Sequence, residues 1–151
     1  MTNQDKLISV FEELKRVSEL EIFEKTNDLK RFSKDFFDYS PILVKELKDC
    51  IADIVVRPLS ADAIIFVAEI CRKYSTPLTI RGSGTGNYGQ CVPMEGGVVM
   101  VMSGLRKIRK FDSKSGEITI ESGCLLRDIN EELIKHGRQL RLLPSTWRSA
   151  S

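Results

Sequence analysis

The chain has 151 residues, one domain's worth, with 23 basic side chains against 21 acidic ones. A net charge of +2 gives no reason to expect nucleic acid or a membrane surface as partner. There is no apolar run of roughly 18 residues to span a bilayer. Residues 1–16 carry acidic side chains and lack the apolar core of a secretory signal, so a cytoplasmic location is expected. The cysteines at 50, 71, 91 and 124 are too widely spaced for a CxxC redox motif or a zinc knuckle, so reduced thiols and no metal site are expected.

In chain order, Leu7, Val10, Phe11, Leu14 and Val17 form one apolar stripe and predict an amphipathic helix over residues 2–20. Residues 24–50 mix charges with Phe32, Phe36, Phe37 and Tyr39, as expected for a segment lying across a core. Pro41 disfavours helix at Ser40. Residues 52–57 (ADIVVR) read as a short buried strand. Ser60 is placed to cap a helix over 61–74, with Cys71 on its apolar face. Leu78–Arg81 is the next strand, and strand–helix–strand with short links makes a βαβ unit with parallel strands. A glycine-rich stretch follows, then a strand at Val98–Met102. Ile108–Phe111 and Glu117–Glu121 predict a hairpin around DSKSGE. Leu125–His136 is a second amphipathic helix, with Gly137 as its C-terminal cap. Gln139–Leu143 reads as a last strand ending at Pro144. The fold class expected is α+β.

The chemistry concentrates in Arg81-Gly82-Ser83-Gly84-Thr85-Gly86-Asn87-Tyr88-Gly89-Gln90. Four glycines permit positive φ, and successive amides can converge into an anion-binding nest. Ser83 and Thr85 add hydroxyl donors, and Arg81 adds a charge suited to phosphate. A diphosphate ligand is the reading these residues favour over a plain flexible loop. The loop has no lysine, which excludes a Walker A motif. It runs through Pro93 and Gly96-Gly97 into a strand, whereas a Rossmann fingerprint opens a helix.

A strand, then RGSGTG, then a proline-containing stretch and GGVV, resembles the pyrophosphate loop of the FAD-binding domain of the vanillyl-alcohol oxidase / p-cresol methylhydroxylase (PCMH) type. ADIVVRPLSADAIIFVAEICRKYSTPLTIRG is similar to that family's preceding stretch. SGLRKIRKFD, then GEITIESGCLLRDINEELIKHGRQL and PSTW, match its following elements in order. The resemblance covers about residues 35–151 and points to the glycolate oxidase / D-lactate dehydrogenase subgroup. Residues 1–34 stand outside it as an N-terminal helical extension.

The resemblance implies the first subdomain of a PCMH-type domain and the start of the second. It implies FAD held by Arg81–Gln90, with Pro144, Ser145 and Thr146 near the flavin ring or diphosphate. It also implies a small-molecule substrate of the 2-hydroxy acid kind. With no histidine in the loop, noncovalent FAD is expected. His136, the only histidine, reads as a solvated or capping side chain. No catalytic residue is assigned, because in the family these lie mostly in the substrate cap. Trp147 reads as a packing residue. Tyr88 stands either beside the flavin edge or over the glycines, and Cys91 reads as a plain thiol. Compared with the family, the chain stops before the Gly-Gly loop, so the missing half or a complementing subunit is an expected partner and 1–151 alone is expected to be inactive. Two other readings stay open: a non-catalytic nucleotide-binding module, and a non-functional truncation product.

Overall fold

The computed structural model describes residues 2–151. Helix α1 (Asn3–Leu14) starts at a capping box: the Thr2 hydroxyl accepts from the Asp5 amide, and the Asp5 carboxylate accepts from the Thr2 amide. It ends earlier than its apolar stripe suggests. The chain turns at Glu19 (φ 54°) and enters strand β1 (Leu20–Phe23). No β-strand was expected there. LEIF is four residues with no alternation, and its identity as a strand comes from antiparallel pairing with distant residues 55–58.

Helices α2 (Thr26–Phe32) and α3 (Pro41–Leu47) follow, with Ser40 capping the Leu43 amide and Pro41 in the first helical position. Strand β2 (Ile54–Pro58), helix α4 (Ala61–Lys73) and strand β3 (Leu78–Arg81) form the βαβ unit, with the Ser60 hydroxyl capping Ala63. Strand β4 (Val98–Val101) is not added at the edge but slides between β2 and β3, pairing parallel with both. The sheet order is β1-β2-β4-β3.

Alternation along β2 and β4 divides the core in two. Ile54, Val56, Val98 and Met100 face α1 and α4, joining Val10, Leu14, Val67 and Cys71. Val55, Val99 and Val101 face the other way, against Phe23, Leu29 and Phe32. Burial on both faces explains why these strands are continuously apolar. The N-terminal segment therefore supplies part of the main core.

Strands β5 (Ile108–Phe111) and β6 (Ile118–Ile120) form an antiparallel pair, with an irregularity between Ile108 and Lys110. Helix α5 (Leu126–Lys135) packs on it through Ile129 and Leu133, joined by Cys124 just before the helix. Gly137 takes φ 67° after the helix, as a C-terminal cap requires. Residues 139–143 form no strand: the Leu140 amide donates to the side-chain oxygen of buried Asn130 (3.0 Å), and Leu142 is exposed. A side chain, not a neighbouring strand, satisfies that backbone. Among the described residues no helix is long and apolar enough to cross a membrane.

Candidate functional site

The glycine loop leaves the carboxyl end of β3 and returns to the start of β4 through residues 82–97. Parallel neighbours need such a long return, and carboxyl ends of strands are where open α/β sheets bind ligands. Gly84 and Gly89 adopt φ 72° and 78°, while Gly82 and Gly86 do not use positive φ. At Gly82 and Gly86 the need is room: a Cβ at Gly82 would stand 2.8 Å from Ser151 Oγ, and one at Gly86 would overlap the Gln90 side chain.

The loop is held from one side by residues 34–37. Asp35, only 4% exposed, accepts from the Gly89 amide through Oδ2 (2.9 Å) and from the Phe37 amide through Oδ1 (3.0 Å). The Phe36 amide donates to the Gly86 carbonyl (2.8 Å). Arg81, 7% exposed, donates from Nη1 to the Lys34 carbonyl (2.7 Å) and to Cys91 Sγ (3.1 Å). Its guanidinium also fills the space a Cβ at Gly84 would occupy. Arg81 thus braces the loop as well as bringing charge to it. Burial pushes the Cys91 thiol above its ordinary pKa, against the pull of the Arg81 charge. Gln90 Oε1 accepts from the Tyr88 amide (3.1 Å).

Within this frame the amides of Ser83, Gly84, Thr85, Gly86 and Asn87 donate to no protein acceptor among the described residues. Five consecutive donors without a protein partner on a half-exposed loop are available to a ligand, and a diphosphate supplies several acceptors. The residues present therefore fit the group. Asn87 and Tyr88 are exposed, and Tyr88 (73%) stands beside the free edge of β3 with Ile80 and Met94.

The C-terminal segment closes on the same place. The Ala150 carbonyl accepts from the Leu126 amide (2.9 Å), and Arg148 and Ser149 line a cleft with Arg81, Gly82 and Ser83. Pro144 and Ser145 are exposed and Thr146 is half-buried; these three shape the turn, with the Pro144 carbonyl accepting from Trp147 and the Thr146 carbonyl from Ala150. His136 is the C-cap residue of α5, 3.5 Å from Glu132, with its ring tilted against Phe111 of the hairpin at 4.6 Å. Trp147 is half-buried, with Arg148 5.0 Å from its ring.

Asp35 and the cleft arginines other than Arg81 carried no signal strong enough to be singled out in the sequence. The one signal for Asp35 was a carboxylate set directly against Phe36 and Phe37, a polar group in an apolar run that has to be buried with partners.

The family model described as "FAD binding domain" matches residues 52–151. The chain belongs to this family of FAD binding domains. Its cofactor is FAD, and its fold is the PCMH type. This FAD binding domain is 29% identical over 85 residues to D-lactate dehydrogenase of Anaerostipes hadrus, covering 56% of this chain and 18% of that protein. It is 31% identical over 77 residues to glycolate oxidase subunit GlcD of Bacillus subtilis (strain 168), covering 51% and 16%. The chain therefore spans less than a fifth of either relative's length. Its fold superposes on p-cresol methylhydroxylase with substrate bound at a TM-score of 0.76, with 13% identity, over 98% of this chain and 28% of that one. That coverage takes in the N-terminal helix and β1 as well.

Proposed function

We propose that this FAD binding domain supplies the diphosphate-binding loop of an oxidoreductase that acts on a 2-hydroxy acid or similar alcohol. The observation that carries the reading is the row of five free amides, Ser83–Asn87, fixed at the carboxyl end of β3 by the Asp35 clamp. Bound FAD supplies two-electron oxidation. This chain's part is to hold the diphosphate: the amides of Ser83–Asn87 and the hydroxyls of Ser83 and Thr85 face it, Arg81 adds charge, and the Pro144–Thr146 turn brings Arg148 and Ser149 alongside. The names of the two relatives support the substrate class.

A histidyl link through residues 81–91 is excluded, because they contain no histidine, and attachment is taken to be noncovalent. The groups that cover the adenosine and the flavin ring, and the general base, come from further polypeptide, either continuous with this chain or a complementing subunit. Residues 1–151 alone then bind FAD weakly, in the high micromolar range, and turn over neither glycolate nor D-lactate.

Calorimetric titration of FAD into the chain and into Gly84→Val tests this. A valine there meets both the φ of 72° and the Arg81 guanidinium, so binding should be lost. Equal FAD affinity in the two proteins would sink the assignment. Flavin that stays with acid-precipitated protein would count against noncovalent attachment.

A further inference from the structure

Helix α4 is apolar on more than the side that packs. Ala63, Val67, Ile70 and Cys71 are buried, and the last three join α1 and the sheet in the main core. Opposite them, at helical spacing, Asp62, Ile65, Phe66, Glu69, Arg72 and Lys73 form an exposed strip. Ile65 is 54% and Phe66 49% exposed. A face meant only for water carries polar side chains in its middle, and this one carries them mainly toward its ends.

Two exposed apolar side chains are ordinary on a protein surface. The charges around them are what point to an occupant. Asp62 stands in the first turn of α4 and Arg72 in the last. Neither has an ion-pair partner among the described residues, although Lys73, next to Arg72, pairs with Glu13. At opposite ends of one helix they cannot reach each other. A strip with a carboxylate at one end, a guanidinium at the other and an apolar centre is complementary to itself turned end for end. Beside Phe66 a cleft of about 780 Å3 opens between α4 and the turn after α1, with Val17 and Ile70 among its apolar walls. That leaves room for a benzyl group arriving from outside.

We propose that α4 is a self-association face, on which a second copy of this chain packs its own α4 antiparallel. Asp62 of each copy meets Arg72 of the other, Ile65 and Phe66 lie at the centre, and the cleft takes Phe66 of the second copy. A foreign partner would have to match both end charges and the apolar centre; a second copy does so by symmetry. A contact limited to one helix and its cleft stays below roughly 1,200 Å2 in total, so association is weak and concentration-dependent. The face lies on the opposite side of the sheet from Phe32 and the Arg81 guanidinium above it. The proposal therefore does not rest on the function proposed above.

Sedimentation equilibrium of the chain over a series of concentrations provides the test, and a monomer–dimer equilibrium is expected. Asp62→Arg and Arg72→Asp should each weaken association at least about tenfold, because like charges then meet across the axis. An equimolar mixture of these two variants should recover the dimer, since each supplies the charge the other lacks; mixing would not repair a folding defect. Phe66→Ala should also weaken association at least about tenfold, as loss of a central aromatic anchor does. Lys114→Glu, in the β5–β6 turn, changes the net charge as much as Arg72→Asp and should alter association less than about twofold. A chain that stays monomeric at its highest soluble concentration would overturn the proposal. So would a dimer that both single reversals leave intact, or a mixture that fails to recover it.

Discussion

The four-stranded sheet and the β5–β6 hairpin are built from similar residues yet held in different ways. In the sheet, β4 lies between two parallel neighbours and all four of its residues are buried. Helices cover both faces. The hairpin has two strands, none of whose residues is fully buried, and its packing comes from one face of α5. A two-stranded pair is marginal without such support. The glycine loop springs from the more deeply buried region, while the arginines beside it come partly from the segments around the hairpin. The loop amides are therefore placed by the sheet, and the side-chain charges by the less buried half.

Truncating one side chain in each half should separate the two regions most widely. Met100→Ala should lower unfolding free energy by about 2–5 kcal/mol, because a buried side chain between two helices leaves a cavity. Ile120→Ala, on the more exposed hairpin, should cost under about 1 kcal/mol. Denaturant unfolding reads both, and equal losses would show the two halves to be held alike.

Asp35→Ala asks how firmly the loop is tied to the sheet. Two amides lose their acceptor, at about 1–3 kcal/mol for each one left unsatisfied. Hydrogen exchange should speed at Gly89 and Phe37 and stay slow at Val99. Unchanged exchange at Gly89 would mean the carboxylate is not what holds the loop.

Cys71 gives a pH test of the core. Burial raises its thiol pKa from 9.0 to about 11. The unfolded chain ionises first, so this contribution is intact below pH 9 and lost as pH rises through 11. Two units correspond to about 2–3 kcal/mol. The parent should lose about that much more stability than Cys71→Ala between pH 8.5 and 11; parallel curves would contradict the burial. A small effect is expected at Gly137. Its φ is 67° and a Cβ there meets nothing within 4 Å, so Gly137→Ala isolates backbone strain, at about 1 kcal/mol in the melting curve.

Much of the sheet was legible because its strands are short, apolar and punctuated: Pro58, Ser60 and the glycines mark the ends of β2, α4 and β3. The insertion of β4 between β2 and β3 was not legible, since pairing order is a long-range property that no local pattern records. β1 was missed for the same reason, and a strand was wrongly expected at 139–143, where Asn130 takes the backbone bond. At the site, the glycine loop was visible in its residue types. The Asp35 clamp and the arginine cleft were not, because Arg31, Arg81, Arg106, Arg127 and Arg148 are scattered along the sequence and meet only in the fold.

The free amides of the glycine loop are proposed to take the diphosphate. Amide NMR spectra of the 15N-labelled chain, recorded as FAD and separately ADP are added, test it most directly and tolerate weak binding. Saturable downfield shifts are expected at Ser83–Asn87 with both ligands, and smaller ones elsewhere. Shifts that leave Ser83–Asn87 unmoved while other residues respond would contradict it.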